Sequence, residues 1–219
     1  MAATVDTREG AGAGAGSQSR IAAGLASIAS YPALLFCALS LLFGALLSVT
    51  DPPLRGHDEP AHFLRAYAIA RGEIVPAANE QGWAGVYLPA HLHEQFQTFF
   101  SQVARRPAFD FRAAFARYRL QRKSDDGEPP VFFPLGGSEA YSPFAYIPYI
   151  AAAWGARLAD LDFVQTLYAM RLCGLAFMTA VAGLAIAAAP RLKWALFLIA
   201  MLPAALYGRA IVSADGSAL

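Results

Sequence analysis

His57-Asp58-Glu59-Pro60-Ala61-His62 sets two carboxylates between two imidazoles within one short stretch. Carboxylates in such a position can accept the proton of an attacking hydroxyl, or hold a divalent cation through oxygen ligands. A third acid, Asp215, stands far along the chain just after Arg209, and Arg171 interrupts another apolar run. Ionisable residues inside apolar segments are costly and face a cavity, a partner or a headgroup. Guanidinium forks match phosphate oxygens. Asp58, Glu59 and Asp215 are therefore candidate catalytic acids. Arg171 and Arg209, with Arg65 on the helix after the acids, are candidate ligands of a lipid phosphate.

Each group also has a structural alternative. Asp58 or Glu59 suits the N-cap of the helix that Pro60 opens. Asp58 and His62, four apart, share a helix face. His57 and His62 are secondary candidates, but their HxxxxH spacing is not the zinc-binding HExxH. His91 and His93 read as loop residues. Arg171 can snorkel or pair with Asp160 or Asp162, and Arg209 can pair with Asp215.

Whether the acids meet depends on the elements that carry them. Of the 219 residues, 57% are hydrophobic and 15% charged, where a soluble domain carries about a quarter charged. Residues 31–49 contain no charge, and a run of that length crosses a hydrocarbon core of roughly 30 Å. This is an integral membrane protein. A net charge of +1 argues against a basic, nucleic-acid-binding surface. Cys37 and Cys173 fall inside apolar runs and read as buried small hydrophobes, not a disulfide.

The expected fold class is an all-α membrane protein with three transmembrane helices and a long external loop carrying short helices. Residues 1–20, with the repeat AGAGAG, read as a disordered cytoplasmic tail. Residues 21–50 carry the first transmembrane helix, too long an apolar stretch for a cleaved signal. Residues 51–140 hold all four histidines and most of the prolines, a composition whose irregular backbone cannot lie in lipid. Helices are expected there from Asp58 to Arg71, with Pro60 in the first turn and Gly72 as the stop, and over 91–104 and 110–122. Residues 141–160, dense in aromatics and prolines, suit an interfacial or re-entrant helix. Transmembrane helices at 164–189 and 194–212 flank a turn at 190–193, and 213–219 begin a second external loop. The basic Arg191-Leu192-Lys193 belongs on the cytoplasmic side, as does Arg20. An even number of crossings between them leaves 143–158 outside the count and brings Asp215 to the face that holds Asp58 and Glu59; the alternative, in which 143–158 spans, puts Asp215 on the opposite face.

The blocks PPLRGHDEPAHFLRAYAIARGEIVP, YSPFAYIPYIAAAWGARLADL, YAMRLCGLAF and PRLKWALFLIAMLPAALYGRAIVSADGSAL together resemble a bacterial membrane family, domain of unknown function 2142, from about residue 50 onward. Their order is similar to the N-terminal part of GT-C-type glycosyltransferases. That resemblance implies a multi-pass protein of the bacterial inner (plasma) membrane that transfers a sugar from a polyprenyl-phosphate donor to a cell-envelope glycan, lipid or protein. It implies Asp58 with Glu59 as the acid of the first external loop, Asp215 as that of the second, and Arg209 near the donor phosphate. In metal-dependent members a divalent cation (Mg or Mn) would sit on Asp58 and Asp215. Such enzymes continue through many more spans, so the resemblance also implies a fragment, inactive until missing C-terminal transmembrane helices complete it. The lipid bilayer and the sugar donor are the implied partners, with no nucleic acid. The alternative is a non-enzymatic multispanning protein, a transporter or an envelope-assembly scaffold.

Overall fold

The computed structural model describes residues 31–103, 109–120 and 129–214; the N-terminal tail, Arg20 and Asp215 lie outside them. Among the described residues two helices are long and apolar enough to cross a membrane, α1 (Pro32–Thr50) and, later in the chain, Phe163–Ala188. Helix α1 opens on Pro32, whose missing N–H is an orphan at a helix start in any case. It ends where Pro52 forces Asp51 into an extended conformation (φ −75°, ψ 122°). Between α1 and the second long helix come α2 (Glu59–Ala70), β1 (Ala77–Ala78), β2 (Ala84–Leu88), α3 (Ala90–Val103), α4 (Phe111–Arg119), β3 (Val131–Pro134) and α5 (Ile147–Leu158). The long helix Phe163–Ala188 is α6, and two short helices follow, α7 (Lys193–Ala200) and α8 (Pro203–Ala210).

The two long helices meet along a narrow seam. In α1 only Pro32, Phe36, Ser40, Gly44 and Ser48 are buried, one residue in every four, and the other faces are apolar and exposed. Helices in lipid gain nothing from hiding leucine from its neighbours, so association depends on close backbone approach and interhelical hydrogen bonds. Here Ser40 Oγ and Thr179 Oγ1 share a hydrogen bond of 2.9 Å, and a Cβ at Gly44 would collide with the Leu175 side chain. Helix α6 begins with a capping box in which Asp162 and Gln165 satisfy each other's backbone N–H groups. Its 26 residues span about 39 Å at 1.5 Å per residue, more than a bilayer core requires. Phe163, Val164, Leu167 and Met170, in its first turns, pack into the core of the polar section instead.

That section is more ordered than a loop with short helices. The helices expected from Asp58, at 91–104 and at 110–122 are α2, α3 and α4, and His91 and His93 sit on α3. A three-stranded antiparallel sheet in the order β1-β2-β3 joins them, with Gly85 opposite Pro134 and Leu88 opposite Val131. Helices and sheet enclose one aromatic core. Phe63 and Phe163 meet edge to face with centroids 5.2 Å apart, and Phe99 packs on Phe115 at 5.5 Å. The aromatic stretch 141–160 forms a 3-10 turn (Pro143–Tyr146) and then α5. Tyr146 and Tyr149 are wholly buried because α5 packs between α2 and α6, while Phe144 and Trp154 of the same stretch are exposed. Trp154 Nε1 donates to the Ala70 carbonyl at 2.7 Å and ties α5 to the end of α2.

The stretch expected as a third transmembrane helix, 194–212, is two eight-residue helices. Pro203 offers no N–H and holds Leu202 extended (φ −54°, ψ 141°), so the helix stops and restarts. Both pieces pack against α1 and α6.

The seam yields a direct test. Gly44→Leu should lower stability by about 1–3 kcal/mol through overpacking, read as a lower melting temperature in detergent, and Leu175→Ala should restore part of the loss. An unchanged melting temperature in Gly44→Leu would show that α1 and α6 do not meet at this glycine.

Candidate functional site

Arg171 and Glu59, one in a long helix and the other at the first position of α2, form a buried ion pair across 112 residues of sequence. Arg171 Nε donates to Glu59 Oε1 at 2.7 Å and Nη2 donates to Oε2 at 2.6 Å. Nη1 donates to the carbonyls of Ser48 and Asp51, each at 2.7 Å, and Nη2 also donates to that of Pro52 at 3.0 Å. All five guanidinium N–H groups are thereby engaged. The Ser48 and Asp51 carbonyls belong to the end of α1, where helix carbonyls lack intrahelical partners and carry partial negative charge. Glu59 accepts two further bonds, from Gly56 N at 3.2 Å and Val212 N at 3.1 Å. One buried pair thus joins the end of α1, the 52–58 loop, α6 and the segment after α8. Arg171 neither snorkels nor pairs with Asp160 or Asp162.

Asp51 lies at the edge of this cluster, with Oδ2 3.7 Å from Arg171 Nη2 and accepting from the Tyr207 hydroxyl at 3.3 Å. Burial holds its carboxyl above the usual carboxylate range, opposed by Arg171 and reinforced by the Glu59 charge. A carboxyl with a raised folded-state pKa binds its proton more tightly folded than unfolded. Its contribution to stability therefore falls as pH climbs from the unfolded value through the folded one.

The 52–58 loop is a strained piece of chain fixed on this base. Leu54 (φ 61°) and Asp58 (φ 54°) both adopt left-handed backbone, which is uncommon outside glycine. Gly56 lies so close to the post-α8 segment that a Cβ would sit 2.9 Å from Ile211 Cγ2. Asp58 occupies the N-cap position of α2, but its side chain makes no capping bond. The left-handed backbone turns the carboxylate outward, where it is 66% exposed and 3.3 Å from His57 Nε2. The expected Asp58–His62 pair does not form; His62 is buried and its Nδ1 shares a 2.8 Å hydrogen bond with the Tyr146 hydroxyl.

Asp58 and His57 stand on the rim of a groove of about 620 Å³ that begins just past the end of α1. Leu64, Trp83, Phe96, Phe100, Phe132 and Phe133 supply its apolar walls, and Arg55, His93 and Gln97 its other polar groups. Pockets of this size and make-up, with a few convergent polar groups, bind small organic ligands. Sequence reasoning missed Arg55, Trp83 and His93. A rim residue in the loop beside Asp58 was open to inference, but the wall aromatics come from elements far apart in the chain.

The other arginines are elsewhere. Arg209 is buried with Nη2 donating to the Ala200 carbonyl at 2.5 Å, and its guanidinium lies 5.3 Å from the centre of the Phe36 ring. It stabilises the carbonyl end of α7 that the Pro203 break leaves open. It also lines a cavity of about 220 Å³ between α6 and the α7–α8 pair, apart from the groove. Arg65 is buried between α2 and the 138–146 turn, its Nε and Nη1 unpartnered and its pKa pushed down by burial. The residue before Asp215, Ala214, packs in the same core as α2. Among the described residues no three His, Cys, Asp or Glu side chains cluster as metal ligands. With Glu59 committed to Arg171 and Asp58 beside one histidine, these residues do not by themselves fit a metal centre.

Two outcomes test the cluster. Arg171→Leu strands Glu59 as an unpaired buried charge and should cost about 3–5 kcal/mol, whereas Arg171→Leu with Glu59→Leu should cost clearly less; equal losses in thermal melts would contradict the pairing. Asp51→Asn should raise the melting temperature at pH 7 and lose that advantage below about pH 3, where Asp51 is protonated folded and unfolded alike. A gain that persists at low pH would assign it to another cause.

Neither a curated protein nor a solved structure matches the chain. A family model described as a predicted membrane protein (DUF2142) matches residues 41–219, which takes in the end of α1, the strained loop, the groove, the arginine cluster and the broken helix pair. The chain belongs to that family.

Proposed function

We propose that the protein is a GT-C-like membrane glycosyltransferase, or the donor-handling part of one, that moves a sugar from a polyprenyl-phosphate donor to a cell-envelope acceptor. The observation that carries this reading is the exposed Asp58 carboxylate, held in strained backbone at the rim of an aromatic groove beside the C-terminal end of α1. Non-glycine residues kept in left-handed conformations cluster at functional sites, where the surrounding structure over-determines them. In this reading Asp58 takes the proton of an acceptor hydroxyl as that oxygen bonds to the anomeric carbon. The bond from that carbon to the phosphate oxygen breaks, the configuration inverts, and the lipid phosphate leaves. Aromatic walls such as Trp83 offer stacking faces to a sugar ring, and Arg55 on the same rim can pair with the departing phosphate.

Glu59 and Arg171 then act as positioning residues, since each is fully used in holding the loop. Arg209 and Arg65 remain candidate phosphate ligands, and Asp215 remains a candidate second acid or, with Asp58, a cation ligand. The topology that goes with this reading has the N-terminus and the Arg191–Lys193 turn in the cytoplasm, residues 51–160 outside, and α7 with α8 as a broken third crossing of the inner membrane. Basic short turns favour the cytoplasmic side. One observation favours the non-enzymatic alternative: a discontinuous helix pair with a buried arginine is also how transporters build their midplane sites.

Asp58→Asn in the full-length protein is expected to lower sugar transfer from a polyprenyl-phosphate donor in native membranes by about 10²–10⁴-fold, the range for loss of a general base, with expression and melting temperature unchanged. Transfer at the wild-type rate would remove Asp58 from the chemistry. Absence of transfer by the wild-type protein, with flux of a solute blocked by Arg209→Gln, would favour the transporter.

A further inference from the structure

A second cavity, of about 190 Å³, lies on the opposite side of α3 from the aromatic groove. The helix is the wall between them: His93, Phe96 and Gln97 face the groove, while His91, Leu92 and Gln95 face the second cavity. The end of α2, the end of α5 with its turn into α6, and the first turn of α6 complete the enclosure.

Two of its polar side chains are nearly covered by the protein. Gln95 is 4% exposed and Thr166 5%. Neither side chain has a hydrogen-bond partner among the described residues. A carboxamide has two donors and an acceptor, and the polar atoms of both side chains open onto the cavity, where the hydroxyls of a ligand can reach them. Arg71 and Arg157 stand exposed at the mouth, and neither forms an ion pair among the described residues. The Asp162 carboxylate is held by the backbone N–H of Gln165 at 2.8 Å, while Asp160 at the rim remains available as an acceptor. Tyr67, Leu92 and Phe163 provide apolar surface beside these groups. Neutral hydrogen-bonding groups within, apolar faces alongside and two guanidinium groups at the entrance describe a receptor for a hydroxylated ring that carries an acid.

We infer that this cavity binds a single sugar unit bearing a carboxylate or a phosphate. Gln95 and Thr166 bond its hydroxyls, and Arg71 and Arg157 pair with its acidic group, bidentately where geometry permits. The site shares no residue with the aromatic groove, and α3 separates the two. It therefore does not depend on the transfer reading.

Binding to the full chain in detergent, measured by calorimetry, tests the inference with four probes: glucuronate, glucose 1-phosphate, glucose and inorganic phosphate. At least one acidic sugar should bind about tenfold or more tightly than glucose, and which of the two binds tighter identifies the acid. Arg157→Gln, at an exposed position, should abolish that preference. Thr166→Val and Gln95→Leu should each weaken the acidic sugar severalfold without lowering the melting temperature, and Asp58→Asn should leave binding intact, which separates this site from the groove. Equal binding of glucose and both acids, no binding at millimolar concentration, or undiminished binding in all three cavity variants would overturn it. Inorganic phosphate binding as tightly as glucose 1-phosphate would also overturn it, reducing the cavity to an anion patch.

Discussion

The Arg171–Glu59 pair is the constraint on which the arrangement of this protein depends. A charge pair withdrawn from water recovers its desolvation cost only with close geometry and with every remaining donor and acceptor satisfied. Both conditions hold: the contact is bidentate, the guanidinium spends its other N–H groups on three carbonyls, and the carboxylate accepts two backbone N–H groups. Those partners come from four stretches of chain that no continuous helix connects. The pair is thus less a contribution to overall stability than a device fixing how the helices and the polar section meet.

What it fixes is the 52–58 loop. Two left-handed residues and a glycine pressed against Ile211 would not hold their conformation alone. With its ends pinned, the loop keeps Asp58 turned out at the groove. Two kinds of surface meet around this point. On one side, α1 exposes apolar side chains on all faces but one narrow seam. Beyond it, α6 continues into an aromatic core shared with α2, α3, α4 and α5.

Much of this was legible in the sequence where a local rule governs. Pro60 and Gly72 bracket α2 within a residue or two. Asp58, Glu59 and Arg171 were visible as charges out of place. Their partners were not, because local spacing suggests near neighbours and the actual contact joins residues 112 positions apart. Asp58 lost its capping role to a backbone conformation that no residue pattern announces. The sheet escaped because β1 is two alanines, β2 carries a glycine and β3 ends in proline, so none shows sustained alternation. The interruption of 194–212 was signalled by Pro203, whose effect is weighed differently in lipid, where such breaks are tolerated.

Backbone hydrogen exchange in a Glu59→Ala variant of the full chain measures the central constraint most directly. The amides of Gly56 and Val212 both donate to Glu59 although they lie far apart in sequence. Removal of the carboxylate should speed exchange at both together, with the α1–α6 seam near Ser40 and Thr179 still protected. Faster exchange at Gly56 with Val212 unaffected would mean that the pair does not join the loop to the segment after α8.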